Sequence, residues 1–206
     1  MDDLDNILFC GAFDGETDRL SKYANLRVYN TGVGFLDTVF NLQRYLSKNK
    51  EVKSIVFLGS AGVYRHSKKK PGDLTFSHKF VYKDIAEVKN MVKVPSVITK
   101  HILSEVDTRF QRILNRSKFS EAITNSTNYV TLIDLTTEEL VDSLYEVDLE
   151  NMEAFPIAYV ASRLSLQFVS LFYITNYVGA KGSEDWNANW RYGSNLLQEE
   201  IIKFIF

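Results

Sequence analysis

Glu153 is the residue whose type and setting most suggest chemistry. The stretch Val147-Asp148-Leu149-Glu150-Asn151-Met152-Glu153-Ala154 is short, β-prone and acidic toward its end. Phe155 to Ala161 then reads as a helix start, with Pro156 in the first turn, where its missing N–H is not needed. Strand, acid and helix put Glu153 at the carboxyl end of a strand, where open α/β sheets bind ligands. A carboxylate held there accepts two hydrogen bonds from a vicinal diol, as on a ribose. Met152 beside it offers a soft apolar wall. The same residues also suit a helix-start acid beside a buried methionine, so the case rests on what else arrives at the same place. Glu16, Ser60 and Asn176 stand at three other expected strand ends, far apart in sequence.

The elements that carry these side chains follow from local pattern. Asn6 to Cys10 is an apolar run that fits a buried parallel strand, with Cys10 inside it, and it turns through Gly11-Ala12-Phe13-Asp14-Gly15-Glu16. A helix is expected to start near Thr17. Leu26 to Asn30 reads as a second strand, ending in Thr31-Gly32-Val33-Gly34. Phe35 to Leu46 reads as a helix offering Leu36, Val39, Phe40, Leu42 and Leu46 to the core. Lys53 to Leu58 is a third strand, ending in Gly59-Ser60-Ala61-Gly62. Repeated strand-then-glycine turns argue for a parallel sheet with its site along one edge.

Beyond that, Pro71-Gly72-Asp73 precedes a strand from Leu74 to Phe76, and Asp107 to Leu114 suits a helix. Ser120 to Thr124 and Tyr129 to Ile133 read as strands, and Thr136 to Glu139 as a helix start with acids in its first turn. Phe168 to Ile174 reads as a buried strand running into Thr175-Asn176-Tyr177, and Trp190 to Phe206 as a closing helix.

Composition narrows the function classes. With 206 residues, 45% of them hydrophobic, residues 1–206 are read as a single domain with a sizeable core. A net charge of −2 implies no broad nucleic-acid surface. One cysteine permits no disulfide framework, which suits a reducing cytoplasm. The acids Asp2, Asp3 and Asp5 stand where a leader needs basic residues. Arg163, Gln167 and Asn176 interrupt the most apolar region, so no membrane span is expected. His66, His78 and His101 show no metal-ligand spacing, so no metal site is expected.

Six short motifs, in order, resemble the nucleoside phosphorylase and nucleosidase family, which includes purine nucleoside phosphorylases and methylthioadenosine/S-adenosylhomocysteine nucleosidases. They are Gly11 to Glu16, Thr31 to Gly34, Gly59 to Gly62, Pro71 to Asp73, Asn151 to Ala154 and Ile174 to Asn176. Ile174 to Gly179 followed by Trp186 is most similar to the futalosine hydrolases of an alternative menaquinone route. The resemblance implies an α/β fold, a three-layer α/β/α domain with a central mixed sheet. It also implies a homodimer or larger homo-oligomer, and no cofactor is expected.

The resemblance also assigns roles. Glu16 matches the carboxylate that activates water, and Glu153 the acid that holds the ribose hydroxyls. Met152 packs against sugar and base, Ser60 lies near the water or phosphate pocket, and Tyr129 with Val130 falls near the residues that bind the purine. Phosphorylases need cations for phosphate, and arginine is the usual one. Phe57 and Glu16 stand at two such positions here, which favours hydrolysis. Phe172 replaces an arginine usual in nucleosidases. Asn176 replaces the aspartic acid of adenine-cleaving nucleosidases; an amide is a poor general acid but donates to N7 or to a 6-oxo group. The leading expectation is therefore hydrolysis of the N-glycosidic bond of futalosine, releasing hypoxanthine. The alternatives are a methylthioadenosine/S-adenosylhomocysteine nucleosidase, a purine nucleoside phosphorylase, or a nucleoside-binding protein with degraded chemistry. Phe35, Phe80 and Tyr82 are candidates for an apolar wall around the substrate's distal group, and Lys181 or Arg191 for a cation that meets its carboxylate.

Overall fold

A computed structural model describes residues 4–206. Asp2 and Asp3 lie outside the described residues. The chain runs β1 (Ile7–Gly11), β2 (Arg27–Asn30), α1 (Phe35–Lys48), β3 (Ser54–Val63), β4 (Leu74–Val81), α2 (Ile85–Val88) and β5 (His101–Leu103). It continues with α3 (Thr108–Leu114), β6 (Ser120–Asn125), α4 (Thr137–Leu144), β7 (Leu149–Glu150), α5 (Ala154–Arg163), β8 (Gln167–Tyr177) and α6 (Gly182–Ile205).

The eight strands of the described residues join one sheet, and it is mixed rather than parallel. β2, β1, β3 and β8 run parallel in sequence across it. β4 then pairs antiparallel with β8, and β6 parallel with β4. β7 closes a ring by pairing with β6 and, antiparallel, with the far end of β3. β3 can serve both neighbours because β1 uses Ser54 to Phe57 and β7 uses only Gly62 and Val63. The curled sheet thus brings the carboxyl ends of β1, β3, β7 and β8 around one hollow.

Alternation in the strands explains the three layers. Leu8, Cys10, Ile55, Phe57, Phe168 and Phe172 face one way, onto Leu42 and Leu46 of α1 and the apolar side of α5. Ile7, Phe9, Val56, Leu58, Val169 and Leu171 face the other, onto Phe110 and Leu114 of α3 and Leu197 and Ile201 of α6. Central strands buried on both faces read as continuous apolar runs. Cys10 is fully buried, and burial pushes its thiol well above the ordinary range. Among the described residues no helix is long and apolar enough to cross a membrane.

The structure departs from the sequence expectations at four places. Two 3-10 turns, Asp14–Glu16 and Leu20–Lys22, replace the helix near Thr17. Their backbone is bound by α6 instead: Gln198 Oε1 accepts from the N–H groups of Arg19 and Leu20, and Ser194 Oγ donates to Gly15 O. In α1, Leu42 and Leu46 are buried, but Leu36 is 82% and Phe40 64% exposed. Tyr129 to Ile133 forms no strand. Its polar groups are taken by other partners, with the Tyr129 hydroxyl accepting from Ile85 N–H and Thr131 Oγ1 donating to Glu150. Finally, α6 begins at Gly182, not Trp190.

Candidate active site

The hollow at the strand ends is a cavity of about 430 Å3, within the usual range for small-molecule sites. Glu16, Ser60, Tyr129, Val130, Met152, Glu153 and Asn176 all line it. These residues come from five separate parts of the chain, and the closure of the sheet brings them together.

Glu16 sits in the first 3-10 turn, directly after β1, and is 5% exposed. Its Oε2 accepts from Ala12 N–H at 2.7 Å, and Oε1 lies 3.4 Å from Ser60 N–H. Close approach requires a glycine behind it: a Cβ on Gly11 would lie 2.8 Å from Glu16 Cβ. Burial, with the Glu153 carboxylate adding to it, pushes the Glu16 carboxyl up to about 8. Desolvation disfavours the charged form, and a like charge nearby does the same.

Glu153 stands at the start of α5, three residues beyond the end of β7, and is also 5% exposed. Gly34 N–H donates to Oε1 at 2.9 Å, and Asn151 Nδ2 to Oε2 at 3.2 Å. Gly34 has φ +81°, a left-handed conformation that suits glycine. Burial pushes the Glu153 carboxyl up to about 7, against the pull of these donors.

Asn151 holds this corner together. Its Oδ1 accepts from the N–H groups of Glu153 and Ala154, both at 2.8 Å, which satisfies two backbone donors at the start of α5. Its Nδ2 also reaches Ser60 O at 3.0 Å, tying α5 to β3.

Ser60 Oγ accepts from Trp186 Nε1–H at 2.8 Å. Trp186 stacks on Trp190, and Phe13 meets both rings edge-on, so α6 lays an aromatic cap beside Glu16. Asn176 lies near the end of β8, just past a bulge: Ala61 pairs with Ile174 and Gly62 with Asn176, leaving Thr175 extra. A bulge re-aims the next side chain, and here the Asn176 amide lies 3.0 Å from where a Gly62 Cβ would be. Its Oδ1 accepts from Thr175 Oγ1 and its Nδ2 donates to Tyr177 O.

Several cavity residues have no place among the sequence-derived candidates. Phe13 and Val33 lie within the Gly11–Glu16 and Thr31–Gly34 motifs, and Trp186 is one of the residues that carry the resemblance. Glu150 and Thr131 gave no signal. Glu150 is 9% exposed, and burial raises its carboxyl despite hydrogen bonds from Tyr64 and Thr131.

The remaining candidates fall elsewhere. Phe80 stacks on Phe168 in the core, and Phe35 packs against Tyr82, none of the three lining the cavity. The Arg191 guanidinium is engaged by Asp18 and Gly15 O, and Lys181 is an exposed residue at the start of α6. At two of the three arginine positions, Phe57 and Phe172 form an edge-on pair, both fully buried. Among the described residues, three carboxylates line the cavity and no Lys, Arg or His does. Among the described residues, no group of three or more His, Cys, Asp or Glu is arranged to hold a metal ion.

A family model described as the phosphorylase superfamily matches residues 25–205. No curated protein matches the chain by sequence. The solved 5'-methylthioadenosine/S-adenosylhomocysteine nucleosidase of Helicobacter pylori superposes at a TM-score of 0.80, covering 97% of each chain with 15% identity. Native futalosine hydrolase of the same organism also gives 0.80, covering 97% of this chain and 96% of that one with 14% identity. The Streptococcus pneumoniae nucleosidase in complex with 8-aminoadenine gives 0.79, covering 97% and 98% with 14% identity. At such identities the likeness is one of fold.

Proposed function

The chain belongs to the phosphorylase superfamily, and within it we propose that it hydrolyses the N-glycosidic bond of a purine nucleoside, with futalosine as the substrate. One observation carries the reading: two buried carboxyl groups, Glu16 and Glu153, share a cavity with Asn176 that no cation among the described residues lines. A phosphate co-substrate entering that cavity finds no cation among the described residues to offset its charge, whereas a neutral water needs none.

In this reading Glu153 accepts hydrogen bonds from the ribose 2'- and 3'-hydroxyls, with Gly34 N–H and Asn151 fixing its carboxylate. Glu16 takes a proton from a water that attacks the anomeric carbon. The glycosidic bond breaks, the electron pair leaves with the base, and the ribose gains the hydroxyl. A ribosyl-cation-like transition state is stabilised by nearby negative charge. A carboxyl raised to about 8 is a stronger base than an ordinary one, and is matched to work near neutral pH. Met152 packs on the sugar, Tyr129 and Val130 on the base, and Asn176 donates to N7 or the 6-oxo group of the departing hypoxanthine. Ser60, held by Trp186, lines the water side.

The similar structures include a futalosine hydrolase and 5'-methylthioadenosine/S-adenosylhomocysteine nucleosidases. Asn176, an amide where adenine-cleaving nucleosidases carry an acid, supports the former. Val33, which lines the cavity, and Leu36 and Phe40 of α1 are exposed apolar residues, and we propose that a second copy of the chain covers them. The reading takes residues 1–206 as one cytoplasmic domain.

The deciding experiment is release of free base from futalosine, its 6-amino analogue, methylthioadenosine and inosine, each with and without phosphate. Phosphate-independent hypoxanthine release from futalosine is expected. Adenine release would move the chain to the methylthioadenosine/S-adenosylhomocysteine nucleosidases, phosphate dependence to the phosphorylases, and binding without turnover to a binding protein.

A further inference from the structure

Glu150 is a buried carboxylate in the cavity wall that neither the water-activating nor the ribose-holding role uses. Sheet register gives its position meaning. Gly62 of β3 pairs with Glu150 of β7 on one side and with Asn176 of β8 on the other. Residues paired in one row across adjacent strands project from the same face. Two strand spacings of about 4.8 Å separate Glu150 from Asn176, and the residue between them has no side chain. The row is therefore a slot with a glycine floor, an amide on one wall and a carboxylate on the other. A Cβ at Gly62 would lie 3.0 Å from Asn176 Nδ2, so the floor cannot rise without displacing the amide.

The carboxylate is held but not used up. Tyr64 Oη donates to Oε2 at 2.8 Å, and Thr131 Oγ1 to the same atom at 2.9 Å. Oε1 has only the Thr131 N–H at 3.4 Å. A carboxylate offers about four acceptor positions, so Oε1 keeps capacity for a donor in the cavity. Asn125 Nδ2 donates in turn to Tyr64 Oη at 3.1 Å, which fixes the assembly from behind.

The geometry points to Glu150 as the residue that selects the base: we propose that its Oε1 accepts the N1–H of a 6-oxopurine whose N7 and 6-oxo edge faces Asn176. This rests on the purine-nucleoside reading and deepens it. The two walls of the slot match the two edges of such a base. Hypoxanthine presents acceptors at N7 and O6 and a donor at N1. Adenine presents a lone pair at N1, which a carboxylate repels. Guanine adds a 2-amino donor on the Glu150 edge, so it is accepted on the same ground. Selection against adenine then comes from both walls together.

The test is equilibrium binding of hypoxanthine, 1-methylhypoxanthine and adenine to the full chain, by calorimetry, for the native protein, Glu150→Gln and Tyr64→Phe. The native protein should bind hypoxanthine at least tenfold tighter than either of the other bases. Glu150→Gln should cut the hypoxanthine-to-adenine ratio by about tenfold to a hundredfold, the range for losing a hydrogen bond to a charged group. Tyr64→Phe removes a support of the carboxylate but leaves the acceptor, so its ratio should stay within about threefold. The proposal is overturned by an unchanged ratio in Glu150→Gln, or by Tyr64→Phe shifting the ratio as far as Glu150→Gln does, which would make Glu150 a loop anchor. Equal binding of 1-methylhypoxanthine and hypoxanthine by the native protein overturns it without any variant. Binding of no purine base at all overturns the nucleosidase reading as well, which separates the two failures.

Discussion

Replacing Glu16 with glutamine should make the protein more stable at alkaline pH. Burial and Glu153 raise the Glu16 carboxyl from 4.5 to about 8 in the folded state. The unfolded chain keeps the ordinary value, so the folded state binds the proton more tightly. The stability linked to that proton is complete below about pH 4.5 and is lost as pH rises through about 8. One pKa unit corresponds to about 1.4 kcal/mol, so the full loss is on the order of 4–5 kcal/mol. Glutamine keeps the shape and still accepts from Ala12 N–H, but does not ionise. Its NH2 group meets Ser60 N–H, a cost that does not vary with pH, so the slope is the readout and not the absolute value. Glu153 titrates in both proteins and largely cancels in the difference. For a chain of 206 residues about 1 kcal/mol moves the melting temperature by about 2–4 °C. The assay is thermal unfolding from pH 5 to pH 9 for both proteins. The gap in melting temperature should widen in favour of Glu16→Gln by about 10 °C across that window. Parallel curves would refute the view that Glu16 carries an unfavourable buried charge, and with it the reason for calling it a strengthened base.

Three further outcomes follow from the same geometry. Glu153→Gln should lower kcat/KM for a nucleoside by about a hundredfold or more, the loss of two hydrogen bonds from the diol to a charged acceptor, with much of it in KM; steady-state kinetics checks this. Gly34→Ala places a Cβ 2.9 Å from Asn128 Oδ1 at φ +81°, costing about 1–2 kcal/mol of backbone strain, and should lower the melting temperature by a few degrees and raise KM by moving a donor to Glu153. Asn176→Asp should shift base preference toward adenine by about tenfold or more, read from kcat/KM on paired 6-oxo and 6-amino nucleosides, because an acid protonates N7 and accepts from the 6-amino group.

What the sequence disclosed, and what it hid, divides along the range of the interactions. Strands β1, β3 and β8 were legible because both faces are buried, and the residues that do this are contiguous. Thr136 and Glu139 form a reciprocal capping box at α4, a signal that lies within four residues. The helix expected near Thr17 failed for the opposite reason: the hydrogen-bonding groups that decide that segment belong to Ser194 and Gln198, at the far end of the chain. Tyr129 to Ile133 has strand-forming residue types, but β propensity states only that a side chain suits a half-buried surface. Here Val130, Leu132 and Ile133 are exposed, and Tyr129 and Thr131 are turned toward α2 and Glu150.

Glu150 shows why a site can be harder to read than the fold that carries it. It lies in a strand of two residues, too short for any periodicity, one position before a motif that draws attention to Met152 and Glu153. Its chemistry depends on standing opposite Gly62, which itself stands opposite Asn176 only because Thr175 is bulged out of β8. Without that bulge, Thr175 would pair with Gly62 and Asn176 would move one position along the strand, and a shift of one residue sends a side chain to the other face of a sheet. Deleting Thr175 should therefore leave Asn176 opposite Gly62, now by regular pairing after Ile174, and the preference for 6-oxo over 6-amino nucleosides should survive, read from kcat/KM on the paired substrates. Loss of that preference in the deleted protein would refute the register argument and show that the bulged backbone itself aims the amide.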